Sequence, residues 1–295
     1  MTSMIFYQNP VALNRANHLN LKLDQKPGDF SFAGKTNSVL LAVSEMAEAA
    51  KDYPIVFVGK EGGTFTLAAL VGLRDSENLF VGEDGSWQAG TYIPAFARRY
   101  PFVLAEGEGS ADKLTVCIDE AYAGFNTERG NALFDNAGKE TPMLQAALDF
   151  LQLFHGEMNQ TRLFAQQLAA LGLLEQKIIE VNREGKQEVL EGLFIVDQQK
   201  LKALDDAASL ELLRSGAMFF IHAHLLSLGH VERLAMRLDR HIAATAIAPA
   251  TLAASAASAT SAAPAAPAAA THLLAPARKG QQGKGNPQGR SHNGA

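Results

Sequence analysis

Residues 85–102 carry the side chains best suited to binding chemistry. This segment of 18 residues contains the only tryptophan of the chain, two tyrosines, two phenylalanines and two adjacent arginines. Aromatic rings give rigid contact area and guanidinium groups bind anions through directional hydrogen bonds, and the two together are typical of protein-binding surfaces. We therefore predict a water-accessible binding site for a peptide or protein partner. Its residues are Trp87, Tyr92, Arg98, Arg99 and Tyr100.

The same segment also fits a purely structural interpretation. Aromatic rings next to Gly90 and Pro94 can hold a long loop against the core. Arg98 or Arg99 can pair with the acidic side chains that the chain has in excess. Residue types and spacing do not separate the two interpretations, and both stay open at this point.

Catalytic chemistry would need polar groups from separate segments, because no motif brings them together in the sequence. The candidates are His18, Asp119 and Arg98, which would have to converge in one pocket with at least one abnormal pKa. Asp119 and Glu120 end a predicted strand and point to opposite faces, so they do not form an acid–base pair by themselves. We expect a protein that is not an enzyme. An enzyme with such a scattered site, acting in an uptake or modification pathway, is the alternative.

We predict no metal site and no cofactor. His222 and His224 lie two residues apart on a predicted helix, about 200° around its axis, so they cannot ligate one ion. The single cysteine, Cys117, lies in a predicted strand, where a buried thiol is generally inert. Residues 28–36 resemble a phosphate-binding loop, but five residues instead of four separate the first glycine from Gly-Lys-Thr.

The positioning elements follow from hydrophobic periodicity, which predicts an α+β fold. A mainly antiparallel β N-terminal half is expected to pack with a helical C-terminal half that a disordered tail follows. In the first half, the pattern predicts a helix at 38–51, a hairpin of strands 55–58 and 65–73, and strands at 78–81 and 114–118.

The second half begins with a strong helix signal. Thr141 can cap a helix and Pro142 fits its first turn, while Gly172 ends the apolar repeat that follows. A second hairpin of residues 178–181 and 189–196 then precedes two predicted helices at 200–215 and 216–238.

The charge distribution divides the chain at residue 240. All 31 acidic side chains and 22 of the 26 basic ones lie in residues 1–240, a net charge of −9, whereas 241–295 contains four basic side chains and no acid. Alanine makes up 19 of the 35 residues at 243–277, so few large side chains are present to offset the ordering entropy. We predict a globular domain at 1–240 and a disordered Ala/Pro-rich and basic tail at 241–295.

Composition also narrows the function classes. The chain has no run of about 18 apolar residues that could span a bilayer. Its first residues show no secretory signal, so we expect a cytoplasmic protein. The four basic charges of the tail have no aromatic residues among them, and we expect no nucleic-acid partner.

Short motifs throughout residues 1–240 resemble the bacterial SapC family. The most specific is Tyr92-Ile-Pro-Ala-Phe-Ala-Arg-Arg-Tyr-Pro-Phe102. The others are Pro10-Val-Ala-Leu-Asn with His18, Tyr53-Pro-Ile-Val-Phe, Gly72-Leu with Glu77-Asn-Leu-Phe, Gly85-Ser-Trp, Cys117-Ile-Asp-Glu, Ala132-Leu-Phe-Asp, Gly192-Leu-Phe-Ile-Val-Asp with Lys200-Leu, and Ser227.

This resemblance implies a link to the cell envelope. The family takes its name from an association with the paracrystalline surface layer of bacteria, and it is similar only in name to the membrane permease of a peptide importer. It also implies gene neighbours for outer-membrane receptors, flavin halogenase-like proteins and cupin-type oxygenases. It implies no catalytic residues. Together with residues 85–102, it implies a peptide- or protein-binding module connected with envelope or surface-layer functions.

Overall fold

The computed structural model describes residues 5–107, 110–183 and 186–259. Within these ranges the chain forms eleven strands and eight α-helices, with 3₁₀ turns at Ser31–Ala33 and Val43–Glu45. The strands are β1 (Pro10–Ala12), β2 (Lys22–Leu23), β3 (Ser38–Leu40), β4 (Ile55–Gly59), β5 (Phe65–Leu70), β6 (Phe102–Gly107), β7 (Ser110–Asp119), β8 (Phe125–Asn126), β9 (Asn131–Ala132), β10 (Leu174–Arg183) and β11 (Lys186–Val196). The helices are α1 (Arg15–His18), α2 (Met46–Ala49), α3 (Ala95–Arg98), α4 (Pro142–Ala170), α5 (Gln198–Lys202), α6 (Asp206–Arg214), α7 (Ala217–Ser227) and α8 (His230–Ala259).

The strands pair in antiparallel sheets. The largest sheet has the order β10-β11-β4-β5-β3, the second has the order β1-β7-β6, and a small one has the order β8-β2-β9. Both predicted hairpins are present, and the C-terminal one joins the large sheet through β11 and β4. The turn of that hairpin, residues 184–185, lies outside the described residues. Antiparallel sheets in the N-terminal half and helices in the C-terminal half confirm the predicted α+β fold class.

The helix predicted at 38–51 is wrong over most of its length. Residues 38–40 form β3, which pairs with β5, and α2 begins only at Met46. The fully buried Val39 and Leu41 alternate as strand residues do, and Leu41 N donates to Leu67 O at 3.0 Å. The available partner strand therefore overrides the local apolar pattern.

Two other predicted elements differ from the structure. Residues 78–81 form no strand of the sheets, only an isolated bridge of Val81 with Trp87. In place of the two helices predicted at 200–215 and 216–238, the structure has four, α5 to α8. Asp205 begins α6 because its side chain accepts from Ala208 N at 2.8 Å, and Gly216 at φ 80° separates α6 from α7.

Helix α8 crosses the predicted domain boundary and continues to Ala259. Alanine, which favours helix more than any other residue, is frequent in the part of this helix that follows residue 240. The described residues up to Ile247 belong to one compact unit. Residues 260–295 lie outside the described residues, so the disordered tail and its boundary stay predictions.

Helix α4 links two buried apolar clusters. The larger cluster lies on the five-stranded sheet and includes Phe57 and Phe164, and the smaller one lies on the second sheet and includes Ile118 and Leu144. Thr141 caps α4 as predicted, because its side chain accepts from the backbone N–H of Leu144. The long helix therefore packs along both sheets at the place where they adjoin.

The backbone hydrogen bonds between β4 and β11 are interrupted, and side chains of helix α7 take their place. The register of these strands would place Val196 opposite Ile55. Instead, His224 Nε2 accepts from Val196 N at 3.0 Å and His224 Nδ1 donates to Ile55 O at 2.9 Å. Ser227 Oγ accepts from Ile55 N at 3.0 Å. Two side chains of α7 thus replace backbone hydrogen bonds and hold the helix against the sheet.

Candidate functional site

A groove of about 570 Å³ lies where helix α4 passes over the two sheets, and we call it the α4 groove. Its volume falls in the range of small-ligand and peptide pockets. Helix α4 forms one wall with Leu151, Phe154 and Met158, and strand β6 forms another with residues 103–105. Strands β3, β4 and β5 and the turn before β5 add Leu40, Val58, Thr64, Phe65 and Thr66 to the lining.

The guanidinium of Arg99 lies in this groove among three aromatic rings. Its central carbon is 4.1 Å from the ring centre of Phe96, 5.3 Å from that of Phe154 and 5.9 Å from that of Tyr7. Burial lowers the pKa of Arg99, and the neighbouring Tyr7 hydroxyl opposes that shift. The cation therefore sits in an apolar setting that weakens its hydration and favours a bound anion.

Arg99 has no ionic partner among the described residues. Its Nε atom is buried and makes no hydrogen bond with any described residue, and none of the ion pairs of the described chain includes Arg99. Buried donors are nearly always satisfied by protein, water or ligand. The Nε–H group of Arg99 is therefore a buried donor that has no partner among the described residues.

The α4 groove is cationic although residues 1–240 carry a net charge of −9. Arg99, Arg162 and His155 line it, and none of the described residues that line it is Asp or Glu. Arg162 and His155 lie at its exposed rim on α4, where the side chain of Asn159 is 3.3 Å from His155 Nε2. The distribution of charge thus favours an anionic group of a ligand over a cationic one.

Arg98 lies next to Arg99 in the chain but points to a different neighbourhood. Its Nε donates to Ile93 O at 3.0 Å, its Nη2 donates to the Tyr92 hydroxyl at 3.2 Å, and 45% of its side chain is exposed. Tyr92 is half-buried, and burial together with the nearby Glu45 carboxylate raises its pKa to about 12. Neither Arg98 nor Tyr92 lines the α4 groove.

The buried Glu45 holds the loop that carries both arginines. Its Oε1 accepts from Ala95 N at 2.7 Å and from the Tyr92 hydroxyl at 2.8 Å, and its Oε2 accepts from Ala42 N at 2.8 Å. These bonds fix the start of α3, and α3 in turn delivers Arg99 to the groove.

Replacing Glu45 with Ala is expected to lower the free energy of unfolding by about 2–4 kcal/mol, because it leaves three donors without their carboxylate. Urea unfolding measures the change. Glu48→Ala is the matched control, since Glu48 is exposed and pairs only with the exposed Lys51, and its effect should stay below about 0.5 kcal/mol. Equal effects of the two substitutions would refute this role of Glu45.

Trp87 and Tyr100 are buried, each 6% exposed. Trp87 Nε1 donates to the Tyr53 hydroxyl at 2.9 Å, and that hydroxyl donates to Tyr92 O. The ring of Tyr100 stacks on that of Phe32 with centroids 4.0 Å apart. The structure therefore places these two predicted binding residues in the core, as the structural interpretation of the segment expects.

His18 and Asp119 are also buried and lie away from the α4 groove. Asp119 is fully buried and accepts from the Tyr100 hydroxyl at 2.9 Å, and burial together with this carboxylate raises the pKa of Tyr100. The His18 ring accepts a backbone hydrogen bond from Asn14 at 3.0 Å. His18 Nε2 lies 3.8 Å from a carboxylate oxygen of Glu120, the residue after Asp119, whereas Arg98 lies beside Glu45 and Tyr92. Among the described residues, the three catalytic candidates share no hydrogen-bond partner.

The described residues contain no group of three or more His, Cys, Asp or Glu side chains that could hold a metal ion. His224 is buried against the sheet while His222 is exposed, so the two point apart as the helical spacing predicts. Cys117 is buried, and burial raises the pKa of its thiol. In the part of the chain that the structure describes, no helix has both the length and the apolar character needed to cross a bilayer.

Sequence reasoning named Arg99 but missed the rest of the α4 groove. Leu151 in its α4 wall comes 46 residues after Ala105 in its β6 wall, and the packing of α4 on β6 brings the two together. One signal was present: His155 lies on the otherwise apolar face of α4 with Leu144, Leu148 and Leu151. A polar side chain on an apolar helix face can mark the rim of a pocket.

The comparisons with known proteins identify one family. The model of the SapC family matches residues 13–234, a range that includes Arg99 and all the other residues lining the α4 groove. The chain belongs to the SapC family. No curated protein and no solved structure matches it.

Proposed function

We propose that this SapC-family protein is a peptide-binding module that receives an apolar segment of a partner in the α4 groove. One observation carries the proposal: among the described residues, the partly buried Arg99 guanidinium has no carboxylate partner and the α4 groove that it lines has no acidic side chain. A ligand that is apolar and carries one anionic group satisfies both features.

The proposal keeps one of the five predicted binding residues as a ligand contact. Arg99 supplies the charge, whereas Tyr92 and Arg98 help to fix the loop through the bonds around Glu45. Trp87 and Tyr100 support that loop from the core. We further propose that the protein acts in the cytoplasm and, from the family resemblance, that its partner belongs to envelope or surface-layer functions.

The anionic dye 8-anilinonaphthalene-1-sulfonate is a suitable probe, because it combines an apolar ring system with one sulfonate. We expect a single saturable site on the native protein and displacement of the dye by an apolar hexapeptide with a free carboxylate. Met158→Trp should weaken dye binding about tenfold or more, because the larger ring fills the groove from its α4 wall.

Leu163→Trp is the matched control on the same helix. Leu163 is 50% exposed and does not line the groove, so the variant should bind the dye as the native protein does. Equal dye binding by Met158→Trp and the native protein would locate the site elsewhere and contradict the proposal. Failure of apolar peptides to displace the dye would contradict it as well.

A further inference from the structure

Strand β6 borders the α4 groove with an unpaired edge. The order β1-β7-β6 leaves one side of β6 without a partner strand. Asp119 N donates to Pro101 O at 3.0 Å, so Pro101 and Asp119 form a hydrogen-bonded pair of the β6–β7 ladder. Every second residue of β6 from Pro101 onwards then bonds to β7 through its backbone. Val103 and Ala105 therefore direct their backbone groups towards β7, and Leu104 directs its N–H and C=O away from it. Those two groups have no partner among the described residues.

A second strand edge lines the same groove. Strand β3 is the last strand of the five-stranded sheet. Because Leu41 N donates to Leu67 O, the backbone groups of Leu40 point away from β5, and Leu40 lines the α4 groove. An extended peptide can pair its main chain with such edges, whereas an acyl chain has no groups to pair.

Arg99 lines the α4 groove, and its guanidinium lies among three aromatic rings. Phe96, Phe154 and Tyr7 surround the guanidinium, and the Tyr7 hydroxyl is engaged with the Phe102 carbonyl at 2.7 Å. A side-chain carboxylate at this point would require its own main chain to continue past these rings. A terminal carboxylate ends the chain there and needs no further room.

We propose that the ligand is the free C-terminus of a partner protein with an apolar last residue, bound as an extra strand on β6. Its terminal carboxylate pairs with Arg99, its main chain pairs with the N–H and C=O of Leu104, and its last side chain packs against the rings around Arg99. This inference rests on the proposed function and specifies which part of a peptide occupies the groove.

The experiment measures fluorescence polarisation of fluorescein-Gly-Ser-Ala-Val-Leu-Val with a free carboxylate, alongside its C-terminal amide. We expect the amide to bind at least about tenfold more weakly, because a hydrogen-bonded ionic contact with Arg99 is lost. Two further peptides each carry one methyl group on a backbone nitrogen. In the first peptide the methylated residue is one position before the methylated residue of the second. Only one of them should bind much more weakly, because alternate N–H groups face the strand.

The other outcomes separate this inference from the proposed function. If acid and amide bind equally, or if neither methylated peptide is weakened, the inference is overturned and the peptide-binding module stands. If decanoate displaces the dye as well as the best peptide does and methylation has no effect, the groove binds acyl chains and the inference is wrong. If no peptide binds and none displaces the dye, both proposals fail.

Discussion

Replacing Arg99 with Met is expected to weaken binding of the carboxylate peptide and of the dye by about 10- to 100-fold, without destabilising the protein. The loss of binding follows from the removal of the cation that lies among the aromatic rings of the α4 groove. Methionine keeps packing contacts with Phe96 and Phe154 and removes a buried charge. We therefore expect the free energy of unfolding to change by less than about 1 kcal/mol.

The combination of lost binding and kept stability distinguishes a ligand contact from a structural residue. Arg129→Met is the control, because Arg129 is 82% exposed and pairs with Asp24 at the surface. It removes the same charge and should leave both binding and stability unchanged. If Arg99→Met lowers the free energy of unfolding by several kcal/mol, Arg99 is a structural cation and the groove loses its proposed role.

Replacing His224 with Ala is expected to lower the free energy of unfolding by about 3–5 kcal/mol, the largest stability effect that we predict for a single side chain. The change leaves a cavity under α7. It also leaves Val196 N and Ile55 O without partners at the point where the β4–β11 ladder is interrupted. His222→Ala, on the exposed side of the same helix, should change the free energy of unfolding by less than about 0.5 kcal/mol.

His224 should also make stability depend on pH. Burial, opposed by the bond to Ile55 O, lowers its pKa from 6.5 to about 4. Because the unfolded chain binds the proton first, the stabilisation is complete above pH 6.5 and is lost as the pH falls towards 4. Between pH 7 and pH 5 the native protein should lose about 2 kcal/mol that His224→Ala does not lose.

Urea unfolding of both proteins at pH 7 and pH 5 checks this difference. Carboxylates that titrate near pH 5 act in both proteins and cancel in the comparison. An equal loss in the native protein and in His224→Ala would show that another group causes the acid sensitivity.

Several elements of the fold follow from local chemistry. Thr141 and Pro142 set the start of α4, and the apolar runs around 55–70 and 189–196 form the two hairpins. These features depend on neighbours in sequence, so the residue pattern contains them. The pattern at residues 38–40 predicts a helix because it does not show their pairing with β5, about 30 residues later.

The candidate site was harder to predict because it depends on contacts between distant segments. The cluster of Trp87, Tyr92, Arg98, Arg99 and Tyr100 marked the right segment, but sequence does not show which side chains face the core. Packing buries Trp87 against Tyr53, and it turns Arg99 into the α4 groove and Arg98 towards Glu45. Arg98 and Arg99, which are adjacent at the end of the short helix α3, thus have different environments.

The most direct test of the central claim is the NMR signal of the Arg99 Nε–H group, assigned by its absence in Arg99→Met. If Arg99 binds a terminal carboxylate, this signal should shift downfield and exchange more slowly with water when the free-acid peptide is added. The amide peptide should leave it nearly unchanged. A peptide that binds at saturation without moving the Arg99 signal would contradict the claim.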